Sequence, residues 1–351
     1  MATRIPVTVL TGYLGAGKTT LLNRSLTGSH GRRYAVIVNE FGEIGIDGDL
    51  VVGSDEELVE LSNGCICCTV RGDLVRTVRT LLASTSRPDA ILVETTGLAA
   101  PAPVAQTFLV DPLLNNRTCL DSITTVVDAR TIEARLADSR EAIEQIAFAD
   151  QLILNKIDQV APRAVDAIER RLNRLNPFAS VHRAVRGNVD LTKILGRGAF
   201  DLERLVSIEP QLLAAAPCDD PGHVHDEHCG HHHLDHNADS RHDGDISSVS
   251  LVAETPMDRD RIEAWIANTV AIEGKDILRA KGIIDVAGEA QRLVFQAVHM
   301  QLEGDLQRPW RPGEIRSSRL VFIGRNLDEK ALRAGFAACA ASDIPSRDAH
   351  S

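Results

Sequence analysis

Cys65, Cys67 and Cys68 fall within four consecutive positions of the stretch "ELSNGCICCTVRGDL", residues 60–74, in a chain of 351 residues with seven cysteines. In an extended segment Cys65 and Cys67 project to one side, and Cys68 joins them where the chain turns. Thiolates this close together suit a soft or borderline ion such as Zn2+ or Cu+, with Zn–S distances of about 2.3 Å. Three of them leave a tetrahedral ion one ligand short, a position open to water, to a side chain from elsewhere or to a recipient protein. Two other readings compete: small hydrophobes packed under a sheet, and a redox-active thiol set, although the C-x-x-C spacing of disulfide exchange is missing.

A second set of residues has the spacing of phosphate chemistry. "GYLGAGKTT", residues 12–20, follows the apolar run "VTVL" and precedes a helical pattern, matching G-x-x-x-x-G-K-[ST]. Gly12, Gly15 and Gly17 let the backbone of the loop through Ala16 turn its N–H groups toward phosphate oxygens at a helix N-terminus, where Thr20 also lies. The Lys18 ammonium can bridge the β and γ phosphates, and the Thr19 hydroxyl can coordinate Mg2+.

The base is read further on. In "LILNKID", Asn155, Lys156 and Asp158 form an N-K-x-D set directly after an apolar strand. The Asp158 carboxylate can accept from the ring N–H and the exocyclic amine of guanine, whereas adenine would leave it facing an acceptor. GTP is therefore the expected nucleotide. Between the two motifs, "ILVETTG" puts Glu94 at a strand end, where it can serve the metal, the attacking water or both, and Gly97 where a γ-phosphate-sensing glycine belongs.

Two further segments carry ligand-type side chains. "NEFGEIGID", residues 39–47, follows a strand where a first switch loop falls, and Glu40, Glu43 and Asp47 are hard ligands, nucleotide-sensing groups or simply solvated acids. The stretch from Cys218 to Asp245 holds His223, His225, His228, His231, His232, His233 and His236 with Cys229 and several aspartates. Neutral imidazoles in such a tract hold divalent metals weakly and promiscuously, and the competing reading is a solubilising linker.

The elements that must position these residues are legible from periodicity. "IPVTVL", "AVIVNEF", "AILVET", "ITTVVDA" and "QLILNK" are nearly continuous apolar runs, as parallel strands buried on both faces require. They alternate with helical patterns in "KTTLLNRSL", "DLVRTVRTLLAS", "REAIEQIAFA" and "RAVDAIERRLNRL", which predicts an α/β, doubly wound, mostly parallel sheet over residues 1–205. The His-rich segment, 206–245, reads as a linker, and 246–342 as a smaller α+β domain with a largely antiparallel sheet. In that domain "DILRAKGIIDVA", "QRLVFQAVHMQLEG" and "SRLVFIGR" each read as one strand, and His299 and Trp310 read as core or surface features.

Bulk properties narrow the field. A net charge of −11 without a basic block argues against nucleic acid and anionic membranes as partners. No apolar run approaches the roughly 20 residues that span a bilayer, and "MATRIPVTVLTG" has no signal-peptide pattern. An odd cysteine count with a cluster too tight to pair internally points to a reducing, cytoplasmic setting.

The combination of "GYLGAGKTT", "NEFGEIGID", "NGCICCTV", "ETTGLA", "NKID", the His-rich segment and "RSSRLVFIGRNL" (316–327) resembles the CobW-type metallochaperone GTPases of the SIMIBI class. The resemblance implies a GTPase domain followed by a small CobW C-terminal domain, and GTP hydrolysis coupled to delivery of Zn2+ or another transition metal to a client metalloprotein. Within the same family the cargo alternative is Co2+ or Fe2+, for cobalamin synthesis or nitrile hydratase activation. A nucleotide- or metal-dependent oligomer is a further expectation. A GTP-regulated metal buffer without a client is the alternative of a different class.

Overall fold

The computed structural model describes residues 4–27, 33–39, 57–61, 69–84, 87–190, 194–199, 246–311 and 313–341. Glu40, Glu43, Asp47, the three clustered cysteines and the His-rich segment lie outside the described residues.

The first half is built on a seven-stranded sheet in which every pairing is parallel. Its strands are β1 (Ile5–Thr11), β2 (Tyr34–Asn39), β3 (Glu57–Leu61), β4 (Ala90–Glu94), β5 (Thr118–Asp128), β6 (Gln151–Asn155) and β7 (Ser180–Arg183), in the spatial order β3-β2-β4-β1-β5-β6-β7. The central strands are apolar or β-branched on both faces because helices cover both. All five residues of β6 are buried, as are Val7 and Val9 of β1 and Ile91 and Val93 of β4.

The covering helices are α1 (Lys18–Thr27), α2 (Thr69–Ala83), α3 (Ala102–Val110), α4 (Pro112–Arg117), α5 (Ile132–Asp138), α6 (Arg140–Phe148) and α7 (Pro162–Leu175). Their ends follow local chemistry. The Ser139 hydroxyl accepts from Ala142 N at 3.2 Å and starts α6, while Pro162 sits in the first turn of α7, where its missing N–H costs nothing. In α7 the apolar stripe Val165, Ile168 and Leu172 turns inward, with charged residues outside.

The second half is a five-stranded antiparallel sheet in the order β11-β10-β9-β12-β8. Its strands are β8 (Ile246–Ala253), β9 (Ile277–Ile284), β10 (Gln291–Val298), β11 (Gln301–Pro309) and β12 (Ser318–Arg325). Two helices, α8 (Arg259–Glu273) and α9 (Glu329–Ala338), cover one face, where Ile262, Ile266, Leu332 and Phe336 pack on Ala280, Phe295 and Phe322. The opposite face, with Ile283, Val294, Val321 and Ile323, joins the core of the first half.

The same face carries cations that meet the first half. Arg279 and Lys281 both pair with Asp150, between α6 and β6, and all three are essentially inaccessible. The stretch expected as one strand, "QRLVFQAVHMQLEG", is instead a hairpin. His299 adopts φ +50° and reverses the chain, so that β10 and β11 pair from Val298↔Gln301 onward. Among the described residues no helix is long and apolar enough to cross a membrane.

Candidate functional site

The residues expected to bind nucleotide gather at the carboxyl ends of four neighbouring strands. In register, Leu10 of β1 lies beside Glu94 of β4, and Asp128 of β5 beside Asn155 of β6. The loop leaving β1 crosses this edge and enters α1, the position at which open α/β sheets bind ligands.

Sterics explain the glycines of that loop. Gly12 has φ +143°, and a Cβ there would stand 2.3 Å from the Val126 carbonyl oxygen. At Gly17, φ +107°, it would stand 2.5 Å from Asn155 Nδ2. Lys18 is 9% exposed and donates from Nζ to Gly12 O at 2.8 Å, folding its ammonium over the loop that would surround a phosphate. Thr19 and Thr20 follow in the first turn of α1, and Ala16 is buried beneath the loop.

The N-K-x-D set does two different things. Asn155, 1% exposed, donates from Nδ2 to Ala16 O at 2.9 Å and accepts from Gly187 N on Oδ1 at 2.9 Å, bracing the phosphate loop against the turn after β7. Lys156 adopts φ 60° and donates from Nζ to Gly15 O at 2.5 Å and to Asp128 Oδ2 at 2.7 Å. Asp158, two residues on, stands exposed at the same rim.

Two participants carried no expected role. Asp128 is gripped by Lys156 and by Arg130, whose Nη2 lies 3.0 Å and Nε 3.2 Å from its carboxylate oxygens. Burial raises the Asp128 carboxyl, but hydrogen bonds from Arg130 and Lys156 outweigh it and hold the group below the usual carboxylate range. Its signal in the sequence is an acid closing the run "ITTVVD". The turn Val185–Asn188, with Gly187 at φ +67° against Leu21, had only an isolated glycine to announce it.

Glu94 is 6% exposed at the end of β4. Thr95 N then bonds Leu10 O at 2.9 Å, and the chain turns so that Gly97 lies against the phosphate loop, where a Cβ would meet Leu14 N at 2.7 Å. Lys18, Thr19, Glu94, Gly97, Asn155, Lys156 and Asp158 are thus brought to one edge. Among the described residues no group of three or more His, Cys, Asp or Glu side chains could hold a metal ion.

Comparison with known proteins agrees with this geometry. The family model for the CobW/HypB/UreG nucleotide-binding domain matches residues 6–183, and that for the cobalamin synthesis protein cobW C-terminal domain matches 246–340. The chain is 32% identical over 370 aligned residues to the zinc chaperone CobW of a Sinorhizobium species, with 95% of this chain and 97% of the relative covered. It is 33% identical to the zinc-regulated GTPase metalloprotein activator 1 of Schizosaccharomyces pombe, covering 92% of this chain and 83% of the relative. The crystal structure of Zn(II)-bound YjiA GTPase from E. coli superposes with a TM-score of 0.74 at 30% identity, covering 97% of this chain and 100% of that one. With both matched domains and a formed phosphate loop in the first, the chain belongs to the CobW/HypB/UreG family and carries the CobW C-terminal domain.

Proposed function

We propose that this chain is a GTP-hydrolysing metallochaperone that binds Zn2+ through Cys65, Cys67 and Cys68 and passes it to a client metalloprotein. The observation that carries the nucleotide half is the brace made by Asn155. One side chain joins the phosphate loop at Ala16 to the turn at Gly187, which sets the exposed Asp158 at the rim of the same site. The metal half is supported by the donor set, three thiolates in four positions, and by relatives named zinc chaperone and zinc-regulated GTPase metalloprotein activator.

In this reading the loop amides of Gly12 to Lys18 and the Lys18 ammonium hold the β and γ phosphates, and Asp158 selects guanine. Thr19, at the start of α1, is the side chain that would hold Mg2+, which would supply charge neutralisation between the phosphates. Glu94, buried at the strand end, orients the attacking water. The zinc is cargo: three thiolates grip it, and the fourth position is where a recipient ligand enters before the donor set lets go. The histidines from His223 to His236 form a loose collecting tract, and the units run 1–205, 206–245 and 246–342 in the cytoplasm.

A chelator-competition titration with Zn2+ tests the coupling, using wild type and a Cys65→Ser/Cys67→Ser/Cys68→Ser variant in GDP and in a nonhydrolysable GTP analogue. The expected result is a tight site in wild type that the variant lacks and whose affinity differs between nucleotides. Equal affinity in all four combinations overturns the proposal. Co2+ and Fe2+ titrated in parallel separate the cargo alternatives.

A further inference from the structure

Gln145, in the middle of α6, is 1% exposed and spends both hydrogens of its amide on the turn after β4: Nε2 donates to Gly97 O at 3.0 Å and to Ala99 O at 3.1 Å. That turn is the one whose Gly97 lies against Leu14 of the phosphate loop. Only a side chain with two N–H donors on one atom satisfies both carbonyls at once. The backbone of Gln145 is itself fixed, since its carbonyl accepts from Thr125 Oγ1 on β5 at 2.7 Å.

The neighbours of Gln145 on α6 reach the other way. Glu144 pairs with Arg325 of β12, and Phe148 O accepts from Arg279 of β9. Just beyond the helix, Asp150 takes Arg279 and, at 3.3 Å, Lys281 on one oxygen and Ile123 N at 2.8 Å on the other. The remaining carbonyls at this end are tied down by Asn176 Nδ2, which donates to Ile146 O at 2.7 Å, Ala147 O at 3.2 Å and Ala149 O at 2.8 Å. A helix of 9 residues held at this many points moves as one piece.

We propose that Gln145 is a positioning residue that fixes the Gly97–Ala99 turn against the phosphate loop and links it, through α6, to the sheet of the C-terminal domain. The inference rests on the nucleotide reading given above and deepens it. A ligand that presses on the Gly97 turn, as a γ-phosphate does and a diphosphate does not, draws on Gln145, and α6 carries the load to Arg325, Arg279 and Lys281. By reciprocity, whatever seats on the C-terminal sheet biases the site toward GTP or GDP.

Fluorescent GDP and a fluorescent nonhydrolysable GTP analogue, titrated into the full chain, give the test. Gln145→Met keeps the volume and removes both donors; it is expected to lose about tenfold in analogue affinity, from two lost hydrogen bonds, and less than about twofold in GDP affinity. Arg325→Gln, remote from the nucleotide, is expected to lose about threefold for the analogue alone, and the double variant to lose no more than about tenfold, as residues on one path do not add.

Parallel losses for GDP and the analogue would make Gln145 a packing residue and overturn the proposal. So would losses that multiply in the double variant, or an Arg325→Gln protein that binds both nucleotides as wild type does. Should Gln145→Met not fold, Arg325→Gln decides by the same criterion. A wild-type chain that binds neither nucleotide overturns the functional reading itself and this inference with it.

Discussion

At Gly17 the added methyl of an alanine would meet Asn155 Nδ2 at 2.5 Å, in a backbone conformation that L side chains rarely adopt. Gly17→Ala must therefore distort the phosphate loop or expel the Asn155 brace. It is expected to weaken guanine-nucleotide binding by more than about tenfold in a fluorescence titration, a loss of about 1.4 kcal/mol or more. Lys18→Ala should lower affinity for the triphosphate more than for the diphosphate, since in the proposed function its ammonium bridges the β and γ phosphates. His299 supplies a different test. Its ring lies 5.1 Å from that of Phe148, and burial, aided by the Arg325 charge, holds its pKa below the usual value against opposing effects of a Gly274 backbone hydrogen bond and Glu144. The unfolded chain takes up a proton at about pH 6.5 that the folded chain refuses, so His299 costs stability as pH falls below that value and nothing above it. His299→Asn, which tolerates the positive φ, should therefore lose less in Tm than wild type between about pH 7.5 and about pH 5.5.

Among the elements, those with sustained periodicity are where the sequence puts them. The runs of β1, β4 and β6 and the amphipathic pattern of α7 each satisfy one requirement, burial on two faces or on one stripe. The elements without a marked pattern are those whose neighbours define them. β7 has a single aliphatic residue, Val181, and forms because β6 offers it a free ladder from Gln151↔Ser180 to Leu154↔Arg183. The hairpin of β10 and β11 escapes a periodicity reading because no glycine, proline or asparagine marks the turn at His299 and Met300, and the reversal depends on one residue, His299, at φ +50°. Asp150, at the junction of α6 and β6, belongs to this scale as well. Asp150→Ala strands Arg279 and Lys281, both buried, without their carboxylate, and is expected to cost about 3–5 kcal/mol in denaturant unfolding.

For the molecule as a whole, the nucleotide site and the C-terminal sheet share α6, so the two halves are expected to respond together. The residues proposed to bind metal stand at a different level of specification. The thiolate set and the histidine tract are separate in sequence and in ligand type, and their contributions should separate in a titration. Deleting residues 218–242 is expected to lower the number of Zn2+ ions bound per chain while leaving the tight site, measured by equilibrium dialysis followed by chelator competition. Loss of the tight site on deletion would move the assignment from Cys65, Cys67 and Cys68 to the histidines.

By itself the sequence determined the parts of this protein whose chemistry is local. The phosphate-loop pattern lies in the glycines and lysine of residues 12–20, the acid proposed to read guanine in "NKID", and the proposed thiolate set in "CICC", because each pattern is contained in a few consecutive residues. Only the tertiary structure decided that Asn155 and Lys156 brace the phosphate loop through Ala16 and Gly15, that Asp128 is held by Lys156, and that Gln145 supports the Gly97 turn. These pairs lie 28 to 141 residues apart. Hydrogen bonds across such separations follow from the order in which strands assemble into the sheet, which no short stretch of sequence records.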